Sequence, residues 1–503
     1  MGEAAMLDEM PLFLHRSPVG SPMITIVTVA DSPKRDEITE EAVISMTREG
    51  SMHSSGDQNY VGSGPRDEWL PITESRKGNE FYAAFHLICS GIGPQALLLP
   101  TAFAFLGWTW GIICLTLAFI WQLYTIWLLM RLHESVQGTR YSRYLHLSIA
   151  SFGEKMGKIL AIFPVMYLSG GTCVMLIITG GQTMELFFEI VAEDGAEKLL
   201  SGTEWFLLFT CVAILSALAF PNLNSIAVVS LLGSLAAITY CTLIWVLSIS
   251  KNRPNGISHA PSSLARSEIG RICRALNGIG MVFLAFRGHN LVLEIQGTLP
   301  SNFKSSSYKP MFKAVVAAYL AIPSCLVPIA ITGFRAFGDQ MPDSGGMLKA
   351  LSQKFHGHGT SKNILAITCV LLVISSLASF QLYAMPVFDN LEMKYTSIKK
   401  QKSTRFVKTV IRILFGGLTF FISFTFPFLP SLGGLIGGIT LPLTYAYPCF
   451  MWIAVKKPST FGPNWWFNIF LGGSGMGLSV LLVTAALWSL VDEGLDANFF
   501  RPG

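Results

Sequence analysis

The sequence predicts an all-α polytopic membrane protein with about 11 transmembrane helices, and three observations carry that reading. Hydrophobic residues make up 51% of the 503-residue chain and charged residues only 13%, against the roughly 25% charged share of an ordinary soluble domain. From Asn79 onward the chain divides into apolar runs long enough to cross a hydrocarbon core, which takes about 20 helical residues. Polar residues concentrate in residues 1–78 and in the connections between runs.

The runs fall at 80–104, 109–132, 158–190, 205–221, 224–249, 275–300, 312–336, 364–390, 408–427, 429–454 and 467–491. They form a transmembrane transporter domain over 79–503. Residues 1–78, rich in Ser, Gly, Glu and Pro, read as a disordered cytoplasmic N-terminal tail. Ser17-Pro18 and Ser32-Pro33 would let kinases or other regulators act on it; the same composition fits a passive tail. The first thirty residues hold no continuous apolar core and Met6 stands where a myristoylation signal needs Ser or Thr, so neither a cleaved signal nor a lipid anchor is expected.

The formal charge of +5 is spread between the apolar runs, which points to a lipid bilayer and no nucleic acid. Nine cysteines lie in or beside apolar runs without C-x-x-C spacing, so no disulfide framework, metal site or cofactor is expected. Basic residues orient the chain. The connections after the second, sixth, eighth and tenth runs carry Arg131, Arg140, Arg143, Lys155 and Lys158; Lys304, Lys309 and Lys313; Lys394, Lys399, Lys400, Lys402, Arg405, Lys408 and Arg412; and Lys456 and Lys457. These are the expected cytoplasmic loops, which puts the N-terminus inside and the C-terminus, with Asp492, Glu493 and Asp496, outside. The expected outer loop after the third run holds Glu193, Asp194 and Glu197 against Lys198. One loop dissents: Lys251, Arg253, Arg266, Arg271 and Arg274 fall on the external side.

A transporter must hold a polar solute in mid-membrane, and a broken helix exposes backbone groups for that purpose. The first run contains Ser90-Gly91-Ile92-Gly93-Pro94-Gln95, where Pro94 has no N–H to donate. The sixth contains Phe286-Arg287-Gly288-His289-Asn290. Breaks five runs apart predict two inverted five-helix units, 1–5 and 6–10, with one helix added. The expected substrate-binding residues are Ser90, Gly91, Ile92, Gly93, Phe286, Gly288, His289 and Asn290, with the amides around Gly91 and Gly93 receiving a carboxylate. Coupling or gating falls to Arg287, His289 and Glu294, ionisable groups costly at that depth.

Plainer readings stand beside these. The glycines serve helix packing, His289 is a structural hydrogen bonder, and Glu294 is either a substrate or proton ligand or the partner of Arg287. Glu80, Glu185, Arg335 and Asp389 lie near run ends, where snorkelling accounts for them. Ser375 and Ser376 suit a cavity wall, a sodium site or packing. Gly433-Gly434-Leu435-Ile436-Gly437-Gly438 suits close helix approach or a mobile gate. An intramembrane enzyme built on His289 and Asn290 lacks a second catalytic constellation, so no enzyme is expected.

Over about residues 67–500 the chain resembles the plant amino acid/auxin permease family, in its lysine/histidine transporter-like branch. The most specific stretch is Gly288-His289-Asn290-Leu291-Val292-Leu293-Glu294-Ile295-Gln296, continuing through Thr298 and Pro300-Ser301. Trp69-Leu70-Pro71-Ile72-Thr73, Phe85-His86, Pro100 and Tyr447-Pro448-Cys449-Phe450-Met451-Trp452 support it. The resemblance implies a LeuT-like fold of eleven helices, proton-coupled amino acid symport by alternating access and a plasma-membrane address. Two departures fall at the expected substrate site: Leu87 stands where Asn commonly follows Phe-His, and Gly93-Pro94-Gln95 replaces Gly-Ala-Gly. The family's lysine and histidine therefore do not transfer as substrates. The alternatives are a related solute such as an auxin-like indole acid, and a non-transporting amino acid sensor signalling through the tail.

Overall fold

Inside hydrocarbon every backbone N–H must find its acceptor within its own segment, so the apolar runs fold as helices. The computed structural model describes residues 76–492 apart from 137–138, 193–198, 221–224, 251–255, 261–266, 302–304, 343–345, 356–358, 402 and 429–432, and without the side chains of 162–164, 353–355 and 359–361. Outside the described residues lie the tail to residue 75 with its Trp69–Thr73 stretch, the acidic loop Glu193 to Lys198, Lys251, Arg253, Arg266, Lys304 and Lys402, and the terminal Glu493 and Asp496.

In chain order the helices are α1 Glu80–Gly91, α2 Leu99–Leu132, α3 Tyr144–Phe152, α4 Glu154–Val191, α5 Gly202–Ala219, α6 Ala227–Ser250, α7 Glu268–Ala285, α8 His289–Gly297, α9 Tyr308–Phe337, α10 Gly346–Phe355, α11 Gly359–Lys399, α12 Arg405–Thr425, α13 Gly433–Leu441, α14 Tyr447–Lys456 and α15 Pro463–Asp492. A 3-10 turn, Pro94–Leu98, leads into α2, and a π turn, Pro442–Ala446, joins α13 to α14. Side chains set several starts: Asn79 accepts from Tyr82 N–H at 2.8 Å, and Ser201 and Glu204 form a reciprocal capping box ahead of α5.

Among the described residues ten helical stretches are long and apolar enough to cross a membrane, against about eleven expected. The difference arises at the start. The stretch Pro94–Leu132 holds two helices that meet at a kink at Gly107 (φ 72°, ψ 178°), so the expected runs 80–104 and 109–132 join there and are counted as one. That backbone conformation is open to Gly and strained for other residues. The 12 residues of α1 are too few to cross alone.

Small residues let the helices approach. A Cβ on Gly437 of α13 would sit 2.0 Å from the Gly280 carbonyl oxygen of α7, and one on Gly280 would sit 2.5 Å from that of Gly434. The Gly433–Gly438 run therefore serves backbone-to-backbone packing, locking the first half of the broken sixth crossing to the tenth.

Polar contacts collect at two ends of the bundle. At one, Gly78 N–H donates to Thr298 O at 3.1 Å, Arg140 Nη2 to Leu299 O at 2.9 Å, and Ser306 and Ser307 to Glu134 at 2.5 and 2.7 Å. Arg143 pairs there with Asp389 at 2.5 Å, and Glu392 with Lys408 at 3.5 Å and Arg412 at 3.9 Å. These contacts join the connections after α2 and α8 to the C-terminal part of α11, and α11 to the start of α12. At the other end Asp339 accepts from Ser258 N–H at 3.0 Å and Thr101 donates to Pro342 O at 3.4 Å. Asp389 corrects an expectation: it is 2% exposed and ion-paired rather than snorkelling, because α3 brings Arg143 inward to meet it.

Burial acts to raise the Glu134 carboxyl, but hydrogen bonds from Ser306 and Ser307 and the adjacent His133 outweigh it and hold the group below its ordinary value of 4.5. A folded-state value below the unfolded one adds stability above the unfolded value and loses it as pH falls through the folded one. The unfolding-temperature difference between wild type and Glu134→Gln in detergent should therefore shrink between about pH 5 and about pH 3. Gly437→Leu should destabilise at or above the top of the roughly 1–3 kcal/mol range of overpacking, because backbone cannot yield. Gly477→Leu, which meets nothing within 4 Å, should leave the same unfolding temperature nearly unchanged.

Candidate functional site

Both expected breaks are present. α1 ends at Gly91, and Ile92 (φ −103°, ψ 115°) and Gly93 (φ −148°, ψ −175°) run extended before the 3-10 turn begins at Pro94. α7 ends at Ala285, Phe286 leaves the helical region (φ −96°, ψ 71°), and Gly288 turns left-handed (φ 110°, ψ −4°) to start α8. The positive φ explains the glycine at 288.

The breaks face each other. A Cβ on Gly288 would lie 3.4 Å from Ser90 Oγ, and one on Gly93 would lie 2.0 Å from Arg287 Nη2 and 2.6 Å from Gln95 Oε1. On Gly91 it would lie 2.5 Å from Ile322 Cδ1 of α9. The carbonyls freed where α1 ends are held by α11: Ser379 Oγ donates to Cys89 O and Tyr383 Oη to Ser90 O, each at 2.8 Å. The Arg287 guanidinium lies over the Tyr383 ring, 4.8 Å from its centroid, and Gln122 Nε2 donates to the Arg287 carbonyl at 3.4 Å.

The second break is braced in the same way. His289 Nε2 shares a 2.8 Å hydrogen bond with Thr125 Oγ1 of α2, and its ring lies 5.6 Å from that of Tyr445 in the π turn. Asn290 Nδ2 donates to Ser169 Oγ of α4 at 2.9 Å. Ile92 and Phe286 are buried and apolar, with the Phe286 ring 5.9 Å from Phe119. The eight expected substrate residues, Ser90, Gly91, Ile92, Gly93, Phe286, Gly288, His289 and Asn290, thus belong to two junctions that meet.

Glu294 is not among them. Five residues past His289, about 7.5 Å along α8 at about 1.5 Å per residue, it makes no ion pair with Arg287 among the described residues. Glu294 Oε2, His289 Nδ1, Asn290 Oδ1, both amide atoms of Gln95, and Arg287 Nε and Nη2 are buried without a hydrogen-bond partner. So are the hydroxyls of Ser375 and Ser376. Among the described residues no three His, Cys, Asp or Glu side chains are grouped to hold a metal ion.

Electrostatically the site is polarised. The carbonyl ends of α1 and α7 and the amide ends of the 3-10 turn and α8 converge on it, the first pair suiting an ammonium and the second a carboxylate. Sequence reasoning missed Ser379, Tyr383, Gln95, Gln122, Thr125 and Ser169. One signal was available: Ser375, Ser379 and Tyr383 recur every four residues and mark one polar stripe along an apolar helix.

Removing the Tyr383 hydroxyl leaves the buried Ser90 carbonyl short of a donor, so Tyr383→Phe should cost about 1–3 kcal/mol, read as a lower unfolding temperature in detergent. Tyr445→Phe, whose hydroxyl has no protein partner, should change it far less.

Residues 76–491 match the family model described as transmembrane amino acid transporter protein. The chain is 50% identical over 439 residues to lysine histidine transporter-like 8 of Arabidopsis thaliana, covering 87% of this chain and 84% of that protein. It is 46% identical over 455 residues to lysine histidine transporter-like 7 of the same plant, covering 89% and 93%. Among solved structures, a substrate-bound, outward-open Na+-coupled sialic acid symporter superposes with TM-score 0.53 at 13% identity over 92% of this chain and 97% of that one. A nucleobase-cation-symport-1 family transporter in a closed conformation superposes with TM-score 0.51 at 12% identity over 86% and 96%. These likenesses set the LeuT-like fold, while sequence identity sets the family. A multi-pass chain matched from before its first break to the end of its last crossing belongs to the transmembrane amino acid transporter family, in the plant lysine/histidine transporter-like branch, and is a transporter rather than an enzyme.

Proposed function

We propose that this protein is a proton-coupled amino acid symporter of the plasma membrane that works by alternating access, with its N-terminus cytoplasmic and its C-terminus extracellular. The observation that carries the reading is the meeting of two broken crossings, where half-helix ends of opposite polarity and the unpartnered atoms of Gln95, Arg287 and Asn290 are buried together. A zwitterion presents complementary groups to that arrangement. Residues 1–78 form a cytoplasmic tail on which kinases or regulators act.

Proton coupling is assigned to Glu294. Its carboxyl is 4% exposed, has no cation within ion-pair distance among the described residues, and leaves Oε2 without a partner. A carboxyl buried without a fixed counter-charge is accommodated by binding a proton. His289 couples the second break to α2 through Thr125.

In proteoliposomes an inward proton gradient should accelerate uptake of labelled amino acid several-fold; indifference to the gradient would remove proton coupling. Glu294→Gln should lose gradient-driven accumulation while counterflow persists, and accumulation at the wild-type level would reassign the proton site. Gly93→Leu places side-chain atoms on Arg287 Nη2 and should abolish uptake in protein that still inserts. Wild-type uptake by that variant would show that solute binds elsewhere. Deleting residues 1–75 should leave the flux of the purified protein unchanged.

A further inference from the structure

Among the described residues the buried arginines meet anions, with one exception. Arg143 pairs with Asp389, Arg412 with Glu392 and Arg140 with Glu134. Arg287 is 5% exposed and pairs with no carboxylate among the described residues. Its two unpartnered nitrogens, Nε and Nη2, form one edge of the guanidinium fork, the edge whose parallel N–H groups match the two oxygens of a carboxylate.

The position is set from several sides. The Arg287 backbone lies in the unwound link before α8, its carbonyl held by Gln122, and its guanidinium rests on the Tyr383 ring. Nη2 reaches Gly93 beside Gln95 Oε1, and the Gln95 amide is itself buried with both polar atoms open. Arg287 is thus presented, pre-oriented, at the junction where solute is proposed to bind.

Charge balance then sorts substrates. A neutral amino acid is a zwitterion and leaves the buried Arg287 charge uncompensated; a cationic one doubles it. An amino acid with an acidic side chain brings one net negative charge and cancels it, which matters in a medium where an unpaired ion is costly. Resting on the symport reading above, we infer that Arg287 is a specificity-determining carboxylate receptor, and that the site prefers acidic amino acids to their neutral amides and to cationic amino acids. Gln95 completes the cradle as a neutral hydrogen bonder for the same carboxylate.

The test uses the full-length protein in proteoliposomes with the membrane potential clamped, and isosteric pairs as competitors: aspartate against asparagine, glutamate against glutamine, with lysine as the cationic case. The wild type should show half-inhibition by the acids at concentrations about tenfold or more below their amides, with lysine weakest. Arg287→Gln should collapse or invert the acid-to-amide ratio, and Arg287→Lys, which keeps charge but not the fork, should fall between. Thermal unfolding of each variant with and without aspartate reads binding independently of flux, and an unshifted variant alongside a shifted wild type supports the assignment. A wild type that favours asparagine and glutamine, or an acid-to-amide ratio unmoved by Arg287→Gln, would overturn the inference while leaving amino acid symport standing. If wild-type protein neither transports nor is stabilised by any of the five amino acids, the symport reading falls and the inference with it.

Discussion

In hydrocarbon a backbone carbonyl without a donor is costly, and a helix can be broken only where something else supplies the missing bond. Here α11 supplies it. Ser379 and Tyr383, one helical turn apart, donate to Cys89 O and Ser90 O at the end of α1, and the break that follows exists because those two hydroxyls are there. Tyr383 also lies beneath the Arg287 guanidinium, so one side chain ties both interrupted crossings together. Everything proposed about solute binding depends on that strut.

The second break is held by a different set of elements. Thr125 of α2 takes His289 and Ser169 of α4 takes Asn290, while Gly280 of α7 packs backbone to backbone on α13. The two halves of the sixth crossing share α2 as a neighbour, through Phe283 on Trp121 and His289 on Thr125, and differ in the rest, α7 packing on α13 and α8 bonding α4. The polar end of α8 continues toward the Arg143–Asp389 pair, which places Glu294 between the substrate cradle and the charged end.

Much of this was legible in the residues. Gly, Pro and polar residues interrupting an apolar run are expensive in lipid, so the positions of both breaks could be read directly, and the run Gly288 to Gln296 carried the family resemblance. The partners that satisfy the breaks were harder. Ser379 and Tyr383 lie about 290 residues from the carbonyls they hold, and a hydroxyl in a membrane helix commonly bonds its own i−4 carbonyl, as Thr210 and Thr419 do here. Asp389 was misjudged for a related reason: its place near a run end suggested solvent, and only the inward turn of α3 brings Arg143 to it.

By itself the sequence determined the class of the molecule, the places where two helices must fail and the family, because hydropathy, missing backbone donors and a specific motif are local properties of the chain. Tertiary structure alone decided that the two breaks face each other, and that among the described residues Glu294 makes no ion pair with Arg287 and Arg287 meets no anion. Those outcomes depend on which distant helices pack side by side, and pairing between groups far apart along the chain is not encoded in the spacing of either one.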